Sequence, residues 1–198
     1  MDGYILTTTK NTYGWVVYDN DISLDYKEFL KGESLLSKEL PLFYNIPKSS
    51  NLKKIKSAVV LESAGPELVC RQFKEVLEKQ VRDIQFFDVN LFCDNEKIDG
   101  FYAMNVPHLM KCIDLENSEF RLMNFDRNNP DYMFYYMKLR RNLFDNNKTD
   151  IVRCEEMHRS IVVSEKIKTA LFAAGLKGLQ FSDSIDMTPK ERTIYERI

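Results

Sequence analysis

Apolar segments of four to six residues, rich in β-branched and aromatic side chains, recur along this chain, and helical periodicity supports only a few stretches between them. The segments include Tyr4–Thr9, Tyr13–Tyr18, Ala58–Leu61, Ile84–Val89, Phe101–Asn105, Ile151–Cys154 and Ser160–Val163. Polar turns separate them, and no purely apolar run approaches the roughly 18 residues needed to cross a bilayer. This pattern predicts an α+β fold of mixed sheets with a few short helices. At 198 residues and 44% hydrophobic side chains, the chain can bury about 70% of its unfolded surface, enough for one domain over residues 1–198 without staples.

Local signals place the elements. Lys10-Asn11-Thr12 reads as the turn of an N-terminal hairpin joining Tyr4–Thr9 to Tyr13–Tyr18. Gly65-Pro66-Glu67 reads as a helix start, with Val69, Phe73, Val76 and Leu77 on one helical face. Asp94–Lys97 reads as a turn, and Pro107 permits a short helix carrying His108 to Leu115. Asp126–Asp131 reads as a loop before the segment Tyr132–Leu139. Ser164 can cap a helix bearing Ile167, Leu171 and Ala174, with Gly175 at its left-handed end. Thr188-Pro189-Lys190-Glu191 resembles a capping box and predicts a final helix, Pro189–Glu196. Lys53, Lys54 and Lys56 read as a solvated face.

An internal echo accompanies these elements. Val59-Val60-Leu61-Glu62, a helix and Gln85-Phe86-Phe87-Asp88 resemble Val162-Val163-Ser164-Glu165, a helix and Gln180-Phe181-Ser182-Asp183, at offsets of 103 and 95 residues. Two related strand–helix–strand units and two unrelated segments of the same kind both fit.

Few residues suggest chemistry. The four cysteines, Cys70, Cys93, Cys112 and Cys154, form no CxxC pair, and the start Met1-Asp2-Gly3-Tyr4 lacks the features of a secretory signal. Reduced thiols in a cytoplasmic protein are therefore expected. His108 with Cys112 and Cys154 with His158 are each four apart, a spacing open to zinc, a cysteine nucleophile or plain buried thiols; the separations match no common zinc pattern. Asp19, Asp21 and Ser23 begin like a calcium loop, but Leu24 and Leu30 stand where glycine and glutamate are required. Asp145, Asn147, Thr149 and Glu156 fit the same template except for Asp150 at the glycine position. No phosphate loop or GxSxG setting occurs. We expect no metal, cofactor or catalytic residue. With 28 basic and 30 acidic side chains the net charge is −2 and the pI about 5.8, which argues against nucleic acid as the partner.

One segment carries a candidate partner surface. As a strand, Tyr132–Arg140 places Met133, Tyr135, Met137 and Leu139 on one face, read as core. Tyr132, Phe134, Tyr136, Lys138 and Arg140 share the other, where three aromatics and two cations suit a protein interface unless the chain itself covers them.

The run Phe101-Tyr102-Ala103-Met104-Asn105, then Val106-Pro107-His108-Leu109-Met110-Lys111-Cys112-Ile113-Asp114 and Glu116-Asn117-Ser118, resembles a bacterial immunity-protein family, family eleven among those encoded beside polymorphic toxins. Ile151-Val152-Arg153, Ile161-Val162-Val163-Ser164-Glu165-Lys166 and Ala174-Gly175-Leu176-Lys177-Gly178-Leu179-Gln180-Phe181 are similar to its ending. Val60–Val89, closing on Ile84-Gln85-Phe86-Phe87, also resembles it, so the likeness spans roughly 40–183. Phe101 stands where the family has tyrosine, leaving a packing role there. Tyr102 and Asn105 read as structural, Asn105 preceding Pro107 at a helix start. The resemblance implies a non-enzymatic antidote that binds a cognate toxin, delivered by a type VI or related contact-dependent system, and protects the producer and its kin. It supplies no binding residues. A small hydrolase or transferase using Cys112 or Cys154, and a regulatory adaptor using the Tyr132–Arg140 face, are the alternatives.

Overall fold

The computed structural model describes residues 2–9, 16–38, 41–47, 52–94, 96–124, 126, 130–145, 148–188 and 190–198. The first strands are β1 (Gly3–Thr8), β2 (Val17–Tyr18), β3 (Phe43–Ile46), β4 (Val60–Leu61) and β5 (Leu68–Cys70). β6 (Gln85–Asp88), β7 (Asn90–Cys93), β8 (Glu96–Ile98), β9 (Phe101–Asn105) and β10 (Leu109–Met110) follow. Then come β11 (Glu119–Leu122), β12 (Tyr132–Lys138), β13 (Ile151–Cys154) and β14 (Ile161–Ser164). The last are β15 (Leu179–Ser182), β16 (Ser184–Asp186) and β17 (Glu196–Arg197). The α-helices are α1 (Leu52–Lys56), α2 (Arg71–Gln80) and α3 (Glu165–Ala173), so the fold is α+β with mixed sheets and few short helices.

The strands form four sheets, ordered β10-β13-β14-β1-β15-β17, β11-β12-β16, β2-β3-β7-β8 and β4-β5-β9-β6. Pairing is antiparallel except between β10 and β13 and between β3 and β7. Three cores join the sheets into a stack. Phe134 and Met137 of β12 meet Ile5, Val152, Cys154 and Val162 on one face of the six-stranded sheet. On its other face, Ile151, Ile161, Val163 and Phe181 meet Val69, Met104 and the helical residues Phe73, Leu77, Ile167 and Leu171. Leu68 and Ala103, alternating with Val69 and Met104, pack away from the helices against Tyr44, Ile46, Leu91 and Ile98. Successive strand side chains point to opposite faces, so sheets covered on both sides need apolar residues at every position. Every residue of β13 and β14 is buried, and apart from Arg153, which donates to the His158 carbonyl (2.6 Å), and Ser164, which caps α3, they are apolar.

The echo has a three-dimensional counterpart, but in a different register. β5 and β6, joined by α2, both run antiparallel to β9, which lies between them. β14 and β15, joined by α3, flank β1 in the same way. Leu68-Val69-Cys70-Arg71, and not Val59–Glu62, therefore corresponds to Val162–Glu165. Cys70 and Ser164 both stand at helix N-caps; they are 94 residues apart, and Gln85 and Gln180 are 95 apart. The two helices pack against each other in the central core.

Several local expectations are overturned by tertiary contacts. β1 and β2 do not form a hairpin: both sides of β1 are taken by β14 and β15, while β2 pairs with β3. The expected turn at Lys10-Asn11-Thr12 lies outside the described residues. Pro66 does not open a helix. Its carbonyl accepts from the hydroxyls of Ser63 (2.7 Å) and Tyr44 (3.2 Å). A Cβ on Gly65 would lie 2.4 Å from Tyr18 Cγ, so the tight turn there depends on glycine. α2 starts only after Cys70, and Val69 is a strand residue. The segment after Pro107 is likewise not helical. The His108 carbonyl accepts from Arg153 N (2.8 Å) and that of Met110 from Glu155 N (2.9 Å), drawing the chain alongside β13 as β10. The α3 reading holds: Ser164 Oγ accepts from Ile167 N (3.4 Å), and Gly175 has φ +66°.

The expected helix Pro189–Glu196 is replaced by a knot around Asp186, whose side chain is fully buried. Its carboxylate accepts from Arg192 Nε (2.7 Å), Arg192 N (3.1 Å), Thr188 Oγ1 (2.6 Å) and Thr188 N (2.9 Å). Thr188, the expected cap, is thus engaged two residues back. Hydrogen bonding from Arg192, then from Thr188, holds the Asp186 carboxyl well below its ordinary value of 3.8. A depressed carboxyl contributes stability above the unfolded value and loses it as pH falls through the folded one. Asp186→Asn is expected to be less stable at neutral pH, yet to lose less further stability between about pH 5 and about pH 2 than the parent. Urea midpoints across that window test this; parallel pH profiles would refute it.

Candidate functional site

The Tyr132–Arg140 segment is a strand, but its two faces are not those expected from simple alternation. Phe120 of β11 opposes Phe134, whereas Glu119 opposes Tyr136, so Tyr135 is an extra residue at a β-bulge. A bulge flips the inside–outside parity of the strand beyond it. Phe134, Met137 and Leu139 are therefore buried, while Met133 (38%) and Tyr135 (40%), read as core, are exposed.

The five candidate partner residues consequently do not share one open face. Phe134 is buried. Tyr132 is half-buried and stacks on it, with ring centres 5.4 Å apart, while Phe120 meets both rings. Arg192 lies over the Tyr136 ring at 4.2 Å and also forms a bidentate pair with Glu119. Lys138 pairs with Asp183. Arg140, exposed, donates from Nε to the Ile113 carbonyl (2.9 Å). Lys138 and Arg140 line a groove of about 740 Å³ with Arg141, Asp183 and Glu196.

What the sheet exposes is a different set. Leu122, Met123, Met133, Tyr135 and Met187 lie on or beside β11, β12 and β16, and they are five of the ten exposed large apolar side chains among the described residues. Exposed apolar groups gathered on one small sheet mark an interaction surface, and Tyr and Met are enriched in interface cores. Strand periodicity missed this set because the signal is the bulge, which depends on pairing with β11.

The cysteine–histidine spacings bring no catalytic pair together. Cys112 and Cys154 are buried neighbours. Cys112 Sγ donates to the Met110 carbonyl (3.2 Å), and Cys154 Sγ to Glu156 Oε2 (3.3 Å). The Cys154 thiol, then burial, push the Cys112 thiol far above its ordinary value of 9.0, opposite to what a nucleophile needs. His108 lies 3.5 Å from Asp83. His158 is exposed, and its carbonyl accepts from the buried Arg153 (2.6 Å). Among the described residues no group of His, Cys, Asp and Glu is placed to hold a metal. The calcium-like candidates are engaged separately. Asp19 accepts from Asp21 N (3.2 Å) and Ser23 Oγ from Phe43 N (2.9 Å). Thr149 bonds Ile151, Glu156 points inward to Cys112 N (2.9 Å), and Asn147 lies outside the described residues.

Asn105 is structural, though not as a helix start. It is fully buried in β9, and its Nδ2 donates to the Glu33 carbonyl (2.8 Å) and to Gln85 Oε1 (2.9 Å). Gln85 Oε1 also accepts from Leu35 N (2.9 Å), so the pair pins the 33–35 segment to the β9–β6 edge. Phe101 packs in the core beside Leu68, as a phenylalanine can.

Among the described residues no helix is long and apolar enough to cross a membrane. A family model described as an immunity protein family, Imm11, matches residues 21–186. No curated protein matches the chain.

Proposed function

The chain belongs to the Imm11 immunity protein family, and from that premise we propose that it neutralises a cognate toxin by binding it, without chemistry of its own. The observation that carries this reading is the match over residues 21–186, which covers most of the chain. The cysteine-hydrolase alternative is disfavoured by the burial of Cys112 and Cys154 and by the raised pKa of the Cys112 thiol. Binding of this kind would occlude the toxin's active site or lock its shape. The toxin would be delivered by a type VI or related contact-dependent system and met in the cytoplasm. Co-expression with the toxin encoded by the neighbouring gene tests the reading: rescued growth and a co-purifying complex are expected, and the absence of both would overturn it.

We place the contact on the β11-β12-β16 sheet. Met133 and Tyr135 would touch the toxin beside Tyr136, whose ring Arg192 covers, and Tyr132 and Phe134 would hold the strand from beneath. Lys138 and Arg140 would stand at its groove end. Central aromatic anchors dominate binding energy, so Met133→Ala combined with Tyr135→Ala is expected to weaken toxin binding at least about tenfold. The melting temperature should hardly change, because both side chains are exposed. Unchanged affinity would remove this face from the interface.

A further inference from the structure

Among the described residues β11 is an edge strand, paired only with β12. Met123 N donates to the Asp131 carbonyl (2.8 Å). With Arg121 opposite Met133 and Leu122 opposite Tyr132, that bond fixes the ladder phase. Arg121 and Met123 point their backbone groups toward β12. Phe120 and Leu122 occupy the alternate positions, whose N–H and C=O point away from the sheet. Among the described residues, no backbone group from outside the sheet meets those of Phe120 or Leu122.

Such a row is a template for another strand, and proteins usually blunt it. Among the described residues, six of the eight sheet edges are strands of only two or three residues. The other four-residue edge, β6, carries the Ser34–Leu35 segment on Gln85. β11 has four residues and carries neither lysine nor proline. Leu122 (55% exposed) and Met123 (49%) stand open at its end. Arg121 is exposed and pairs with no acid among the described residues.

Resting on the neutralisation reading above, we propose that the toxin docks by adding an extended segment to the free edge of β11. Main-chain hydrogen bonds to Phe120 and Leu122 supply the register. Apolar side chains on the incoming segment lie beside Phe120 and Leu122, and an acidic residue lies beside Arg121, the cross-strand arrangement that opposite charges favour.

The test uses the full chain and the toxin encoded by the neighbouring gene. Leu122→Pro deletes an N–H that points outward and leaves the bonds between β11 and β12 in place; Leu122→Ala removes the side chain but keeps that N–H. The proline variant is expected to bind at least about tenfold more weakly than the alanine variant. Equal affinities, with both variants folded by circular dichroism, overturn the proposal. In the unaltered protein, the Phe120 and Leu122 amides should gain hydrogen-exchange protection in the complex, a readout independent of any variant. A complex in which they stay unprotected overturns edge pairing alone, whereas no complex at all overturns the neutralisation reading with it.

Discussion

Replacing Phe181 with alanine is expected to destabilise the protein by about 3–5 kcal/mol, and Phe73→Ala by a similar amount. Both side chains are fully buried in the central core, Phe181 on β15 and Phe73 on α2. Their cavity would open between two sheets and two helices that already face one another, where the walls cannot collapse freely. The two residues belong to different strand–helix–strand units. If residues 1–198 form one cooperative domain, as we propose, each substitution lowers the same single urea transition followed by circular dichroism. Two transitions, each moved by only one substitution, would show that the units unfold separately.

The second large effect is expected at Glu156, a carboxylate buried for a structural purpose. Its side chain is 6% exposed and accepts from Cys112 N (2.9 Å), Ile113 N (3.3 Å) and the Cys154 thiol (3.3 Å). Arg140 lies 3.9 Å away and offsets the charge. Glu156→Ala leaves two backbone donors without an acceptor; at about 1–3 kcal/mol for each such group, a loss of about 2–6 kcal/mol is expected. Glu156→Gln keeps one acceptor oxygen and should lose less. Labelling of Cys112 and Cys154 by a thiol reagent should accelerate in the alanine variant as the Ile113 segment loosens. Unchanged stability and unchanged labelling would show that these bonds contribute nothing.

Both effects were only partly legible beforehand. Phe73, Leu77, Ile167 and Leu171 announce themselves as core through helical periodicity, and α3 follows from its own cap and its own glycine. These are signals in which the interacting residues are near neighbours in the chain. Glu156 fits a calcium-like template in the sequence, and nothing local points to its structural role, because the amides it serves lie 43 and 44 residues earlier. Thr188-Pro189-Lys190-Glu191 suits a helix start, yet Asp186 and Arg192 take Thr188 into a knot against Glu119, 73 residues away. Likewise Met137 and Leu139 are core, as the Tyr132–Leu139 alternation predicts. The first half was inverted by a bulge that exists only against β11.

The amino-acid order alone determined which segments are apolar enough to be buried, that they are mostly strands, and which family the chain resembles, since composition, short-range periodicity and motif order need no partner. Tertiary structure decided which strands pair, where a helix is refused, and which side of β12 meets solvent. Those outcomes depend on hydrogen bonds and packing between residues far apart in the chain, and such long-range pairings outweigh local preferences worth only a fraction of a kcal/mol per residue.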